Sequence, residues 1–136
     1  MNEPEQQLIW FLRVTAIMLL AAALAVVIPH ERMNAIHVWL GLGELPELPM
    51  VAYLTRSLSA LYVVVGAWCW FISLDVRRYL PLLRFSVPAT CVFDVSLIAI
   101  DVVVEMPLVW TAIEGAFLLG WTLTLWWLVR RVVNEA

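Results

Sequence analysis

The chain has 136 residues, of which 64% are hydrophobic and 14% are charged, and its formal net charge is -3. Soluble domains contain about 45–50% apolar and about 25% charged residues, and a chain this short cannot hide so much apolar surface in a core of its own. The acidic balance excludes a basic nucleic-acid-binding surface. The composition therefore predicts an all-α integral membrane protein, with the lipid bilayer as its surroundings and no nucleic acid among its partners.

Four apolar stretches are long enough to cross the hydrocarbon core, which takes about 20 helical residues. They are residues 8–28, 51–74, 82–104 and 108–129. The acidic residues before the first stretch indicate a retained helix rather than a signal peptide, which would begin with basic residues. Because the four stretches fill most of the chain, we predict a single transmembrane domain over residues 1–136, folded as a polytopic membrane four-helix bundle.

The distribution of arginine predicts the orientation of these helices. All eight basic residues are arginines. Five of them lie around the loop between the second and third spans or after the fourth span: Arg77, Arg78, Arg84, Arg130 and Arg131. Basic residues accumulate on the cytoplasmic side of membrane proteins. We therefore predict that both chain termini are cytoplasmic and that the loop between the first and second spans is outside.

This outer loop, residues 29–50, carries a helical pattern of its own. Met33, Ile36 and Leu40 recur at helical spacing, which predicts a short helix at the outer membrane interface. Gly41 and Gly43 are expected to end that helix. The proline-rich segment that follows cannot continue it and is expected to fold back as an ordered cap.

Two histidines of the outer loop, His30 and His37, are seven residues apart and can share one helix face. A metal or haem site is one interpretation of that spacing. No further cysteine or histidine lies near them in the sequence, which favours a capping and an interfacial role. We accordingly predict no metal and no cofactor.

The third span is unusual because it contains acidic residues. Asp94 and Asp101 lie within it and Glu105 lies at its outer end. At 100° per residue the three fall on one stripe of a helix, within about 20° of Asp94. A carboxylate near the bilayer centre costs roughly 2.5–3.5 kcal/mol on insertion scales. The stripe is therefore expected to face the interior of the bundle.

The depth of each residue along its helix predicts the partners of these acids. Arg56 of the second span and Glu114 of the fourth lie at the same outer depth as Asp101, while Arg13 of the first span lies within reach of Asp94. We predict an inner pair formed by Arg13 and Asp94. We also predict an outer polar cluster, with hydroxyl and imidazole groups beside it, formed by Arg56, Asp101, Glu105, Glu114, Ser59, Tyr62 and His37.

Three functions are compatible with such groups. The sequence contains no nucleotide-binding loop, zinc signature or nucleophile–base motif, so we predict no catalytic residues. The first hypothesis is a small non-enzymatic subunit or assembly component of a membrane complex, with other subunits or further copies of the chain as partners. The second is a lipid or small-hydrophobe binding protein, which leaves enzymatic activity open. The third is a proton-coupled transporter, because coupled carboxyl groups suit proton relay.

Two runs resemble a family of small uncharacterised bacterial four-helix membrane proteins. One run is residues 39–44 (WLGLGE) leading into residues 53–62 (YLTRSLSALY), and the other is residues 77–84 (RRYLPLLR). The pairs Ile100-Asp101, Met106-Pro107 and Glu114-Gly115 fit the same family pattern, and the resemblance covers nearly the whole chain.

The family resemblance implies a location in the bacterial cytoplasmic membrane, but it brings no activity with it. It also implies that the polar cluster matters, since the positions that look characteristic of the family are Arg56, Ser57, Ser59, Tyr62, Asp101 and Glu114. In its number of spans and its arginine-led helix the chain is also similar to DoxX-type membrane proteins.

Overall fold

The computed structural model describes residues 2–135, and every regular element among them is helical. The helices are α1 (Glu3–Leu20), α2 (Ala23–Val27), α3 (His30–Trp39), α4 (Pro49–Ile72), α5 (Leu80–Val103) and α6 (Leu108–Asn134). Four segments are long and apolar enough to cross a membrane: α1 together with α2, then α4, α5 and α6. The all-α class and the four spans are thereby confirmed, and the chain is a multi-pass membrane protein.

Prolines determine where three of these helices begin. Pro49 is the first residue of α4, Pro81 lies in the first turn of α5, and Pro107 precedes α6. Proline is favoured at these positions because the first helical N–H groups have no partner within the helix. It also holds the residue before it in an extended conformation, as seen for Leu48 with φ -104° and ψ 135°.

Two helices extend beyond the apolar stretches. Helix α1 begins at Glu3 rather than at residue 8, and α6 continues to Asn134 rather than to residue 129. Most of the added residues are polar or charged, so a hydropathy pattern does not include these segments. Their charges favour helix. Glu3 lies in the first turn of α1, near the positive end of the helix dipole, and Arg131 lies in the last turn of α6, near the negative end.

The first span is interrupted, which the hydropathy pattern did not predict. Ala21 and Ala22 adopt a turn between α1 and α2. The N–H of Ala22 donates to the carbonyl of Leu19, and the N–H of Leu24 donates to that of Ala21, each at 3.1 Å. These bonds to the third preceding residue tighten the chain locally. Alanine gives no sequence signal for such a turn, since it is the strongest helix former.

The outer loop contains the short helix that its periodicity predicts, and the helix ends at the predicted glycines. Helix α3 stops at Trp39, and Gly41 and Gly43 have φ angles of 77° and 82°. Glycine is needed at both positions because side chains disfavour the left-handed region. The chain then folds back onto α3, where the N–H of Leu45 donates to Oδ1 of Asn34 at 2.7 Å.

The described residues fall into two compact units. The terminal unit comprises residues 2–11 and 74–135, and in it α5 packs against α6. The central unit comprises residues 12–73, and in it α2 packs against α4. The boundary between the units passes through α1, after Phe11. The single domain expected over residues 1–136 stays a prediction.

The terminal unit holds most of the fully buried apolar side chains. Its buried aliphatic residues are Leu8, Val76, Leu83, Leu125, Leu128, Val129 and Val132. Four of these seven residues belong to the second half of α6. That end of the unit also contains the polar contacts of the chain termini, so both kinds of interaction hold it together.

In the central unit, α1 and α4 approach each other closely at Gly66. A Cβ atom at this position would lie 3.0 Å from the carbonyl oxygen of Ala16, 3.0 Å from Cβ of Leu19 and 3.1 Å from the backbone nitrogen of Leu20. Glycine lets two membrane helices come close enough for backbone contact. Gly66 therefore sets the spacing of this helix pair.

Candidate functional site

Asp94 is the most deeply buried acidic residue in the terminal unit, with a side chain that is 2% exposed. The hydroxyl of Thr122 on α6 donates to Oδ2 of Asp94 at 2.6 Å. Because α5 and α6 are antiparallel neighbours joined by a short turn, this bond crosses the helix hairpin. It gives one carboxylate oxygen a donor at a position that is almost fully buried.

A second polar pair lies nearer the turn of the same hairpin. The carboxyl groups of Asp101 on α5 and Glu114 on α6 lie next to each other, and the side chain of Trp110 lies beside Glu114. Asp101 is buried, and its Oδ2 atom contacts no N–H or O–H group among residues 2–135. Two carboxyl groups can share a hydrogen bond only if one of them holds a proton. A shared proton would supply the donor that Oδ2 otherwise lacks.

The two pairs form a polar seam along the α5–α6 hairpin, which we define as Asp94 with Thr122 and Asp101 with Glu114. Seven residues separate the aspartates, which corresponds to about 10 Å along the helix. Between the pairs, Gly115 faces Ile98, and a Cβ atom on Gly115 would lie 3.3 Å from the Ile98 side chain. The seam therefore fixes the register of the hairpin through polar contacts separated by an apolar one.

The Glu114 carboxyl is expected to act in the seam as a hydrogen-bonding group rather than as a charge. Replacement by glutamine keeps a donor beside Asp101, so we expect Glu114→Gln to change the free energy of unfolding by less than about 0.5 kcal/mol. Glu114→Ala leaves the buried oxygen without a donor and is expected to cost about 1–3 kcal/mol. Both values are measured by detergent-titrated unfolding in mixed micelles.

The matched control for this series is Glu105→Ala, which removes an exposed carboxyl group beyond the end of α5. Its unfolding free energy is expected to match that of the unmodified chain. If the glutamine variant proves as unstable as the alanine variant, the hydrogen-bonding role of Glu114 is wrong.

The structure differs from the helical-wheel expectation at Glu105. Helix α5 ends at Val103, and Glu105 has a φ angle of 57°, a left-handed conformation that is uncommon outside glycine. The side chain is exposed. The angular argument placed Glu105 on the acidic stripe by assuming that the helix continues, whereas the chain turns toward Pro107 and α6 instead.

No protein-family model, curated protein or solved structure matches this chain. Among residues 2–135 there is no group of three or more histidine, cysteine, aspartate or glutamate side chains arranged to hold a metal ion.

The other predicted members of the outer cluster belong to the central unit. Arg56 is exposed on α4, and Tyr62 is exposed two turns further on. Ser59 is buried, and its hydroxyl donates to the carbonyl of Thr55 in its own helix at 2.8 Å. The pairing of Arg56 with Asp101 and Glu114 joins the two units and stays a prediction.

His37 has a structural role within the outer loop. Its Nδ1 atom donates to the carbonyl of Gly43 at 2.8 Å, which closes the turn after α3. His30 lies 3.8 Å from a carboxylate oxygen of Glu47, an ion pair when the imidazole is protonated. Each histidine therefore ties the returning segment of the loop to α3.

Arg13 lies at the C-terminal end of α4 within the central unit. Its Nε atom donates to the hydroxyl of Ser73 at 3.4 Å, and its guanidinium lies 5.6 Å from the ring centroid of Trp70. The Ser73 hydroxyl in turn donates to the carbonyl of Trp70 at 2.6 Å. A cation at this helix end is favoured by the dipole. The pairing of Arg13 with Asp94 stays a prediction.

Sequence reasoning missed a set of polar contacts at the end of the terminal unit where the chain termini lie. Arg77 Nε donates to Oε2 of the buried Glu5 at 3.2 Å, and Arg131 Nη1 donates to Oε1 of Gln7 at 2.7 Å. The signal for them was an acidic first turn of α1 combined with arginines in the loop before α5 and at the end of α6. Thr122 was also missed, because a threonine in an apolar span does not show which residue it faces.

Proposed function

We propose that the protein is a small non-enzymatic subunit or assembly component of a membrane protein complex, located in the bacterial cytoplasmic membrane with both termini inside. The observation that supports this proposal is the exposed side chain of Arg56 on the membrane-crossing helix α4. The two alternatives, lipid binding at the predicted outer cluster and proton transport, need available carboxyl groups within the spans. Asp94 and Asp101 are instead engaged inside their own hairpin.

Arg56 lies on an exposed face of α4 that is suited to helix contact. Tyr53, Ser57 and Ala60 share this face at spacings of three or four residues, and all are exposed. Further along, Ala67 is exposed as well, so small side chains recur along the face. Small residues allow close packing of membrane helices, and a polar group among them strengthens the association.

The cost of an arginine in this position favours a protein partner. Arg56 is seven residues from the start of α4, which is about 10 Å along the helix axis. Arginines at membrane depth almost always face protein or a water-filled cavity. A carboxylate at the same depth of a neighbouring helix would satisfy the guanidinium, whereas lipid alone would require the side chain to bend toward the interface.

The occupant we propose for this face is a transmembrane helix of a different protein that carries a carboxylate near its outer end. A second copy of this chain fits less well, because the acidic residues of its own spans, Asp94, Asp101 and Glu114, already contact groups in the α5–α6 hairpin. Charge complementarity therefore points to a heterologous partner.

The proposal is tested with the full chain extracted gently from its own membranes and weighed by native mass spectrometry. The expected result is a complex of fixed stoichiometry with a second protein that has an intramembrane acidic residue. Arg56→Gln is expected to reduce the amount of that complex at least about 10-fold, since hydrogen bonds between charged groups contribute about 1.5–3 kcal/mol. Arg32→Gln, which changes an exposed arginine of α3, is the matched control and is expected to leave the complex intact.

A charge exchange makes the experiment specific to the proposed contact. Arg56→Glu combined with arginine at the partner's acidic position is expected to restore the complex that each single change disrupts. A homo-oligomer, or a single chain with no second protein, would contradict the proposal. So would a loss of stability of the isolated chain in Arg56→Gln, which would support the intramolecular outer cluster instead.

A further inference from the structure

A shallow surface cavity of about 460 Å³, largely open to its surroundings, lies at the end of the terminal unit where α1 begins and α6 ends. This volume is within the range of about 300–1,000 Å³ that is typical of small-molecule sites. The residues that line the cavity come from the start of α1 and the last third of α6: Glu3, Gln6, Gln7, Trp10, Trp127 and Leu128.

Two tryptophans form the aromatic part of the cavity wall. The side chain of Trp10 is 67% exposed and that of Trp127 is 49% exposed. Arg131 lies beside the cavity, with its guanidinium 4.8 Å from the ring centroid of Trp127 and its Nη1 atom 2.7 Å from Oε1 of Gln7. Arg131 therefore braces Trp127 and Gln7.

The single charged group among the lining residues is the carboxylate of Glu3. Its Oε1 atom accepts a hydrogen bond from Nε2 of Gln7 at 3.2 Å, and both residues line the same cavity as the two tryptophans. A carboxylate next to aromatic faces is the arrangement that recognises organic ammonium groups, because the ring quadrupole and the negative charge both attract a cation. An anionic ligand would meet repulsion from Glu3.

We infer that this cavity binds the ammonium group of an aminophospholipid headgroup. The cavity lies at the end of the unit that carries Arg77, Arg78, Arg130 and Arg131, and tryptophan is typical of the membrane–water interface. Lipid headgroups are at this depth. The guanidinium of Arg131, at the edge of the cavity, complements the phosphate that adjoins the ammonium of such a lipid.

The test uses the full chain, stripped of lipid in detergent and mixed with equal amounts of phosphatidylethanolamine and phosphatidylglycerol that have the same acyl chains. Native mass spectrometry counts the lipid retained per chain. We expect one phosphatidylethanolamine to be retained, in at least about 10-fold excess over phosphatidylglycerol. Glu3→Gln is expected to remove most of this preference. Trp10→Leu is expected to weaken retention about 2- to 5-fold, the range for an exposed cation–π contact.

Matched controls are available elsewhere in the chain. Glu31→Gln changes another glutamate in the first turn of a helix, and Trp68→Leu changes another exposed tryptophan. Both are expected to retain the lipid as the unmodified chain does. Folding is not at issue for the cavity variants, because Glu3 and Trp10 are both exposed.

Added ethanolamine shows whether the ammonium group alone accounts for binding or whether the lipid chains contribute as well. If millimolar ethanolamine displaces the lipid, the cavity recognises the ammonium group by itself; if it does not, the lipid chains also contribute, and either result supports the assignment. Equal retention of the two lipids would overturn it, and so would Glu3→Gln and Trp10→Leu variants that bind as the unmodified chain does.

Discussion

Gly66→Ala is expected to lower the free energy of unfolding by about 1–3 kcal/mol, the range for adding a methyl group to a fully packed contact. The new Cβ atom would lie 3.0 Å from the carbonyl oxygen of Ala16 and 3.1 Å from the backbone nitrogen of Leu20. Backbone atoms of a helix cannot rotate away as a side-chain end can. Helices α1 and α4 must therefore move apart, which weakens the contacts on either side of Gly66.

Two other helical glycines provide matched controls for this change. A Cβ atom on Gly120 meets nothing within 4 Å, so Gly120→Ala is expected to leave stability unchanged or raise it by up to about 1 kcal/mol through helix propensity. Gly115→Ala is expected to give an intermediate result, because its nearest neighbour is the flexible end of the Ile98 side chain at 3.3 Å. Unfolding of the purified variants by detergent titration in mixed micelles gives all three values. Equal effects at Gly66 and Gly120 would contradict the close approach of α1 and α4.

Thr122→Val is the second substitution with a large expected effect. It keeps the shape of the side chain but removes the hydroxyl that donates to Oδ2 of Asp94 at 2.6 Å. The acceptor is a carboxyl group that is 2% exposed, so water cannot replace the lost donor. Polar contacts between membrane helices average about 0.6 kcal/mol and reach about 1.7 kcal/mol. We expect a loss of about 1–1.7 kcal/mol, because a buried carboxyl acceptor belongs at the upper end of that range.

Thr124→Val is the control two residues along the same helix. The Thr124 side chain is exposed, and its hydroxyl donates to the carbonyl of Gly120 in its own helix at 2.7 Å. Its loss is expected to change the unfolding free energy by less than about 0.5 kcal/mol. A double-mutant cycle with Asp94→Asn isolates the pair: a coupling energy near zero would show that the contact does not stabilise the hairpin.

The membrane-crossing helices could be predicted closely from the sequence because hydrocarbon imposes a minimum apolar length. The minimum apolar length does not predict how far a helix continues into polar residues at its ends. Helix α1 begins at Glu3 and α6 ends at Asn134, beyond the apolar stretches, and charged residues in these end turns favour the helix without adding to its hydropathy. Nor could hydropathy reveal the turn at Ala21 and Ala22, since these residues favour helix and are apolar like their neighbours.

The candidate site was likewise predicted only in part from the sequence. The acidic pattern of the third span predicted that Asp94 and Asp101 are buried, and both are, because a carboxyl group facing lipid carries a large cost. The positions of Glu114 and Asp101 along their helices also predicted that the two residues lie at the same depth in the membrane. The identity of the donor to Asp94 could not be predicted, because α6 contains Thr111, Thr122 and Thr124 and their environments depend on how the helix is rotated.

The amino-acid pattern alone predicts that this chain is helical, crosses the membrane and carries buried acidic residues on one face of α5, because burial in hydrocarbon constrains each helix separately. It does not predict which glycine lies against a neighbouring backbone or which threonine faces a carboxyl group, because these depend on how the helices pack. Gly66 and Gly120 are both glycines within apolar spans, and Thr122 and Thr124 are both threonines of α6, so the sequence does not distinguish the members of either pair. They differ in the distance to atoms of another helix, which depends on rotation and register that no single helix encodes.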